Sequence, residues 1–435
     1  MTFDPVSALQ DLIRLDTTNP PGNEALAINY LVDVLERHGL AHRIVAKDPS
    51  RPNLIASIRG AGNAPGLLMQ GHVDVVPTAG QPWSKDPFSG DIHDGFIWGR
   101  GSLDMKSGIV MMVDALLRLA ASDHEPAGDI VFAALADEEA GSEFGAKFLV
   151  NEHPDLFDGI RYSVGEFGGF PLTLGGVRFY PIQIAERSSV VFRLTIRGDG
   201  GHGSLAARGG TTARLAEVLR RLDRRHCPIH VVPPTKMMLE AMMDHLDGAQ
   251  RRIIGTLLHP RTAAPTLAAL RSKLGVLEPV LRNTVAPTII SSGDKVNVLP
   301  ATAEVILDGR LLPGLTAKSF AAEVRDLVGE GVEVEFEAEQ PTTNDEPDMG
   351  LFNTLAGIVK ERDPEGVPIP FLLPAVTDGR WFARLGIQHY GFQPMKLPDD
   401  FVFQSTVHAA DERISVAAVN HGADAMYDLL TRYEG

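Results

Sequence analysis

The sequence predicts an α/β sheet domain interrupted by a smaller α+β layer of ferredoxin-like order. Three observations predict it. The chain has 435 residues, more than one core accommodates and enough for two or three domains at roughly 150 residues each. Short apolar runs suited to buried strands alternate with helical spacings up to about residue 187. From 188 to 339 the order becomes strand, helix, strand, strand, helix, strand, which is that of a split βαβ layer.

Between Asp4 and about His38 the residues Leu9, Leu12, Ile13, Ala27, Leu31 and Leu35 fall at helical spacing. They are interrupted by TTNPPGNE, whose prolines end one helix and whose Asn23 suits the cap of the next. Residues 53–58, 66–70, 129–135, 161–164 and 386–391 read as buried strands. Ile109, Met112, Val113, Leu116 and Leu117 give a helix after Asp104. In the second layer the strands are 189–196, 284–291, 303–308 and 332–338, with helices at 211–222 and 317–328. VEVEFEAE places Val332, Val334, Phe336 and Ala338 on one face and glutamates on the other. A helical insertion covers 235–281, and PTTNDEPDMG leads back to the first domain. The expected division is therefore 1–187 and 340–435 for the sheet domain, with 188–339 inserted in it.

Composition excludes several classes of function. Forty Lys+Arg stand against 56 Asp+Glu, a net charge of -16, and that acidity opposes a phosphate-binding surface, so no nucleic-acid partner is expected. The opening residues show no basic stretch followed by an apolar one, and no apolar run reaches membrane-spanning length. No membrane association is expected, and the cytoplasm is the expected location. A single cysteine, Cys227, rules out a disulfide framework and a thiolate cluster, so any metal needs nitrogen and oxygen ligands. MMLEAMM at 237–243 suits core or interface filling, and RRLDRR at 220–225 suits a solvated helix end.

The residues with chemical potential fall where predicted strands stop, the place where open α/β sheets present ligands. GLLMQ is followed by GHVDVVP, which sets His72 and Asp74 just past a strand end; a structural histidine would fit there too. Asp104 in GRGSLDMKSG stands at a loop-to-helix junction, where helix capping and metal binding are equally open. DIVFAALADEEAGS runs a buried strand into Asp137, Glu138 and Glu139, acids whose mutual repulsion calls for a cation or solvent. Glu166 follows another short strand, and His408 precedes the last helix. Together they fit two divalent ions. If Asp104 bridges, His72 and Glu166 complete one ion and Glu139 and His408 the other. Three carboxylates then balance two dications once a hydroxide lies between them. Such donors suit zinc, with cobalt or manganese possible, at a spacing of about 3.5–4 Å.

Taken in order, GHVDVVP, WGRGSLDMKSG, ADEEAGS, GEFGG, GDGGHGS, the NVLP-to-DGR segment and TVHAADERI resemble the metallopeptidase family of aminoacylase, succinyl-diaminopimelate desuccinylase, acetylornithine deacetylase and bacterial glutamate carboxypeptidase. The resemblance implies a two-zinc exopeptidase-like catalytic domain with an inserted ferredoxin-like lid that also forms a homodimer. It implies the ligand roles just given, Glu138 as general base and Asp74 orienting His72. It offers His202 as donor to the tetrahedral oxyanion, and Arg310 and Asn297 as substrate contacts, although Arg310 could instead pair with Asp308. Thr377, Asp378 and Gly379 are further candidates for lining the pocket. The sequence reads GEFGG where many relatives have Glu-Pro-Thr, a departure beside the substrate pocket. The expected reaction is hydrolysis of an amide in N-acyl amino acids. A dipeptidase or carboxypeptidase on the same site is the alternative, and a silent binding homologue belongs to a different class.

Overall fold

Four parallel strands, Ile130–Leu135, Gly66–His72, Ile160–Gly165 and Gln388–Gly391, lie side by side and end in the same direction. They belong to a computed structural model that describes residues 3–205 and 208–435. Among those residues they are the centre of a nine-stranded sheet, flanked on one side by antiparallel Asn53–Ile58 and His42–Val45. On the other side lie Val177–Glu186 and, at the edge, Val367–Leu373.

The central strands form because they are apolar on both faces. Every residue of Gly66–His72 and of Ile130–Leu135 is buried. One face carries Leu68, Val131 and Leu135 against Phe148, Leu149, Trp381 and Phe382. The helix Lys106–Ala120 packs on Gly66–His72 and Ile130–Leu135, and itself lies under Val416–Arg432 and Pro5–Arg14. Gly71 governs how closely that helix approaches. A methyl group there would lie 2.3 Å from Met105 Cε and 3.1 Å from Ile109 Cδ1, so a larger residue would require the Met105 and Ile109 side chains to move.

Several predicted boundaries shift. The strand predicted to stop at residue 70 continues to His72, which pairs in parallel register with Leu135. Asn23 occupies the cap position of Glu24–Arg37 without a capping hydrogen bond; its amide instead meets the Asp16 carbonyl at 3.5 Å. Val177–Glu186 and Val367–Leu373 lack a prediction because Pro181, and Pro368 with Pro370, interrupt them. Proline removes a ladder donor, and Val367–Leu373 tolerates two of them at the sheet edge.

The chain divides into two compact units, the first comprising residues to Ile184, Pro347–Phe371 and Thr377–Gly435. The second, Ala185–Glu346 with Leu372–Val376, contains an antiparallel sheet in the order Thr284–Ser292, Thr302–Leu311, Ser188–Arg197, Val332–Glu339. Its core places Phe192, Leu194 and Val305 against Leu215, Phe320 and Val324 of the helices Thr211–Arg224 and Ala317–Val328. This is the ferredoxin-like order. The alternation expected along VEVEFEAE holds through Phe336, which pairs with Phe192 and is half exposed, and a bulge at Glu337, opposite Val191 and Phe192, then shifts the register. Met238, Leu239 and Met242 are buried filler in the helical insertion. Arg221 and Arg225 of RRLDRR are held by main-chain carbonyls at Asp326, Leu327 and Val328, which complements the C-terminal end of a neighbouring helix. Among the described residues no helix is long and apolar enough to cross a membrane.

Candidate metal centre

The carboxyl ends of the central strands deliver side chains to one point. His72 is the last residue of its strand, Glu166 the first after Ile160–Gly165, and Glu138 and Glu139 begin a short turn of helix after Ile130–Leu135. Asp104 comes from the loop before Lys106–Ala120, and His408 from the loop after Phe403–Thr406. His72 Nε2 lies 3.0 Å from Asp104 Oδ1 and 3.5 Å from Glu166 Oε2. His408 Nε2 lies 3.0 Å from Asp104 Oδ2 and 3.2 Å from Glu139 Oε1. Asp104 therefore turns one oxygen to each imidazole. Its carboxylate does not cap the helix, whose N-terminal residue has no side-chain cap.

The donor chemistry fits divalent cations. Potential ligand atoms of His72, Glu138 and Glu166 lie within 4.8 Å of one another, as do those of His72, Asp104 and Glu139. Glu139 Oε1 is buried, with His408 Nε2 as its partner at 3.2 Å. Burial disfavours charge on His408, yet Asp104 and Glu139 push its pKa up to about 11. Burial opposes charge on His72 as well, and Asp104, Asp74 and Glu166 nevertheless hold its pKa well above the usual range. So strong a negative field on two imidazoles is what a pair of cations would answer.

Asp74 faces both the His72 ring and the turn that carries the two glutamates. His72 Nδ1 is 3.0 Å from the Asp74 main-chain oxygen and 3.5 Å from Asp74 Oδ1, so the nearer partner of the ring is the backbone. The carboxylate is occupied with other donors, accepting from the N–H groups of Glu138 at 3.1 Å and Glu139 at 3.2 Å. It thereby anchors the turn that presents both glutamates. Asn19 completes this anchor, its amide donating to Asp74 Oδ2 at 2.8 Å and to Asp137 Oδ1 at 2.9 Å. Asp137 faces Arg51 at 3.0 Å, and Arg51 in turn binds buried Glu24. Of the three consecutive acids, Asp137 is thus support. The segment around Asn19 is fixed beside 72–75 by Asn19 N to Val75 O at 2.9 Å and Thr17 Oγ1 to Val73 O at 2.6 Å.

Behind Glu138 lies Arg380, only 1% exposed, with Nη1 3.5 Å from Glu138 Oε1. Burial raises the Glu138 pKa, with His72 and then Arg380 opposing that shift. Thr377, Asp378 and Gly379 are all buried. Asp378 accepts from Ser142 Oγ at 2.5 Å, and the position of a Cβ on Gly379 is filled by the ring of His389, 2.2 Å away at Cδ2.

The remaining candidates belong to the second unit. His202 is exposed, with Nδ1 2.7 Å from Ser204 Oγ. It pairs with Val298, and Gly203 N donates to the Asn297 carbonyl at 2.8 Å, so His202 and exposed Asn297 share one small ribbon. Arg310 is half-buried and holds Asp308, Nε to Oδ1 at 3.1 Å. The local ion pair foreseen as the alternative for Arg310 is present.

Asn19 and Arg380 were absent from the sequence reading. Asn19 lies in TTNPPGNE, a stretch that read only as a helix-breaking turn. Arg380 follows Asp378 in a segment whose apolar pattern gave no strand end.

Residues 68–432 match the family described as Peptidase family M20/M25/M40. The chain is 27% identical over 383 residues to probable carboxypeptidase S-like 2 of Dictyostelium discoideum, covering 85% of this chain and 72% of the relative. It is 26% identical over 440 residues to aminoacylase-1 of Sus scrofa, covering 98% and 94%. The crystal structure of an M20 family metallo-carboxypeptidase from Sulfolobus solfataricus superposes with a TM-score of 0.70 at 17% identity, covering 99% of both chains, which shows the common fold. The strand-end carboxylates and imidazoles, the family match across most of the sequence and the shared architecture lead to one assignment: the chain belongs to peptidase family M20/M25/M40 and is a metal-dependent hydrolase.

Proposed function

We propose that the enzyme hydrolyses the amide bond of N-acyl amino acids in the cytoplasm, using two divalent ions, zinc first, with cobalt or manganese as alternatives. The observation that carries this reading is Asp104, whose two oxygens each face a separate imidazole at 3.0 Å. His72 and Glu166 would hold one ion, Glu139 and His408 the other, with Asp104 shared. When bound, the ions supply a nucleophilic water near neutral pH and polarise the scissile carbonyl.

The protein's own contribution centres on Glu138. Its carboxylate accepts the proton of the attacking water and returns it to the leaving nitrogen, a role worth typically ~10²–10⁴-fold in rate. Asp74 fixes the Glu138 backbone, and the Arg380 guanidinium aims its carboxylate. His202 is the proposed oxyanion donor. Arg310 and Asn297 are the proposed substrate contacts, Arg310 gripping a free carboxylate after exchanging its Asp308 partner.

The acyl-amino-acid assignment draws support from the likeness to aminoacylase-1, which spans nearly the whole of both chains. A peptidase using the same site is the second reading, favoured by the likeness to probable carboxypeptidase S-like 2. A homodimer through the second unit is part of the proposal. Thr284–Ser292 is an edge strand whose Ile289 is 62% exposed and Ile290 51%, a surface suited to pairing with a second copy. Sedimentation as a monomer would remove that part.

The test of function is amine release from N-acetyl and longer N-acyl L-amino acids, beside dipeptides and C-terminal amides, with zinc-loaded and chelator-stripped protein. Zinc-dependent cleavage of acyl compounds that fails on the amides supports an aminoacylase with a carboxylate anchor. Preference for dipeptides moves the assignment to the peptidase reading. Arg310→Ala is expected to lose the discrimination between acid and amide, and unchanged discrimination removes Arg310 as the anchor.

A further inference from the structure

Behind His408 lies a buried ion pair to which the hydrolytic reaction assigns no role. Arg100 is 1% exposed and Glu412 is 0% exposed, and Arg100 Nη1 donates to Glu412 Oε2 at 2.5 Å. Enclosing two such charges carries a desolvation cost that their attraction alone often fails to recover. Among the additional contacts of the pair are ones to the backbone of two proposed ligands, Asp104 and His408. Glu412 Oε1 accepts from Leu103 N at 2.8 Å and from Asp104 N at 3.3 Å. Arg100 Nη2 donates to the His408 carbonyl at 3.3 Å and to Gln81 Oε1 at 2.7 Å. Gln81 Nε2 donates to the same His408 carbonyl at 2.9 Å.

His408 needs such support. Its φ is +59° and that of Asp411 is +61°, in the left-handed region that non-glycine residues occupy at a cost and keep only when their surroundings fix them. The His408 side chain is 47% exposed, against 2% for His72, so packing around the ring supplies less of that restraint. Ser84 N donates to Asp411 Oδ1 at 2.8 Å, binding the other end of the same loop to the 81–84 segment.

We infer that the Arg100–Glu412 pair, together with Gln81, is a positioning device for the ion held by Asp104, Glu139 and His408, and that its loss weakens that ion selectively. His72 and Glu166 emerge from paired strands and do not depend on it, and Asp104, which both ions would share, keeps an acceptor for its N–H group when Glu412 is replaced by glutamine. Arg100, Glu412 and Gln81 reach Asp104 and His408 through backbone atoms, so they are positioning residues. The inference rests on the two-ion reading proposed above.

Zinc content per chain, measured by mass spectrometry at a series of buffered free-zinc concentrations, tests it in wild type, Glu412→Gln and Gln81→Ala. Glu412→Gln keeps an acceptor for the two N–H groups but removes the ion pair. Gln81→Ala removes the nearer of two donors to the His408 carbonyl without leaving a charge unpaired, and remains informative if the buried substitution fails to fold. The wild type is expected to bind two ions. Each variant is expected to retain one at wild-type affinity and to bind the second about 10–100-fold more weakly, the usual effect of removing an outer partner of a ligand. Melting of apo Gln81→Ala is expected to match wild type, and its kcat at limiting zinc to fall with KM unchanged. Two ions held at wild-type affinity in both variants overturn the inference, as does parallel weakening of both ions. Fewer than two ions in the wild type contradict the two-ion reading itself, a failure visible before any substitution.

Discussion

The two halves of the proposed centre are built differently. His72 and Glu166 leave the ends of adjacent parallel strands, with side chains 2% and 5% exposed. Glu139 leaves a short turn and His408 a loop, and the His408 ring is 47% exposed. The first half inherits its geometry from the sheet, whose ladder fixes each strand end within the packed core. In the second half the His408 ring stands toward solvent while the Glu139 side chain is 8% exposed, and neither residue has a ladder of its own. Their backbone is held by hydrogen bonds from distant segments: Asp74 and Asn19 under Glu139, and Arg100, Glu412 and Gln81 around His408. An open metal position and an ordered metal position make opposing demands, and the buried polar network reconciles them.

Asp104→Ala strikes both halves and carries the largest expected effect. Zinc content should fall from two ions toward none, and amide hydrolysis to background. Retention of two ions by this variant would break the assignment of Asp104 as the shared ligand. Glu138→Gln should lower kcat by ~10²–10⁴-fold while both ions remain, separating proton transfer from metal binding. His72→Ala and His408→Ala sharpen the comparison directly. The first is expected to lower the melting temperature of the apo protein and the second to leave it nearly unchanged, because only His72 is packed into the sheet. Equal losses would show that the halves are not distinct. Asn19→Ala is expected to cost about 1–3 kcal/mol by denaturant titration, the loss of two hydrogen bonds to buried carboxylates that keep their other partners.

The catalytic half of this account was legible where chemistry coincides with local pattern. An apolar strand that stops at an acid or histidine announces itself, as at His72, Glu138 and Glu166. The ferredoxin-like layer was legible because the helices Thr211–Arg224 and Ala317–Val328 and the strand Thr302–Leu311 keep their own periodicities. What escaped depends on distance along the chain. Arg100 and Glu412 are 312 residues apart and Asn19 lies 118 from Asp137, so nothing in either neighbourhood marks the partner. The carboxylate of Asp74 illustrates the same limit. Its position beside His72 was readable, but its service to the N–H groups of Glu138 and Glu139 follows from how two strand ends meet in parallel register. Prolines concealed Val367–Leu373, whose edge position is what permits them.

The central claim is a pair of ions seated between the sheet-borne and loop-borne ligands. Anomalous diffraction from crystals soaked in zinc tests it most directly. Two peaks about 3.5–4 Å apart are expected, one bonded to His72 and Glu166, the other to Glu139 and His408, with Asp104 between them. A single peak, or two peaks that do not share Asp104, would contradict it.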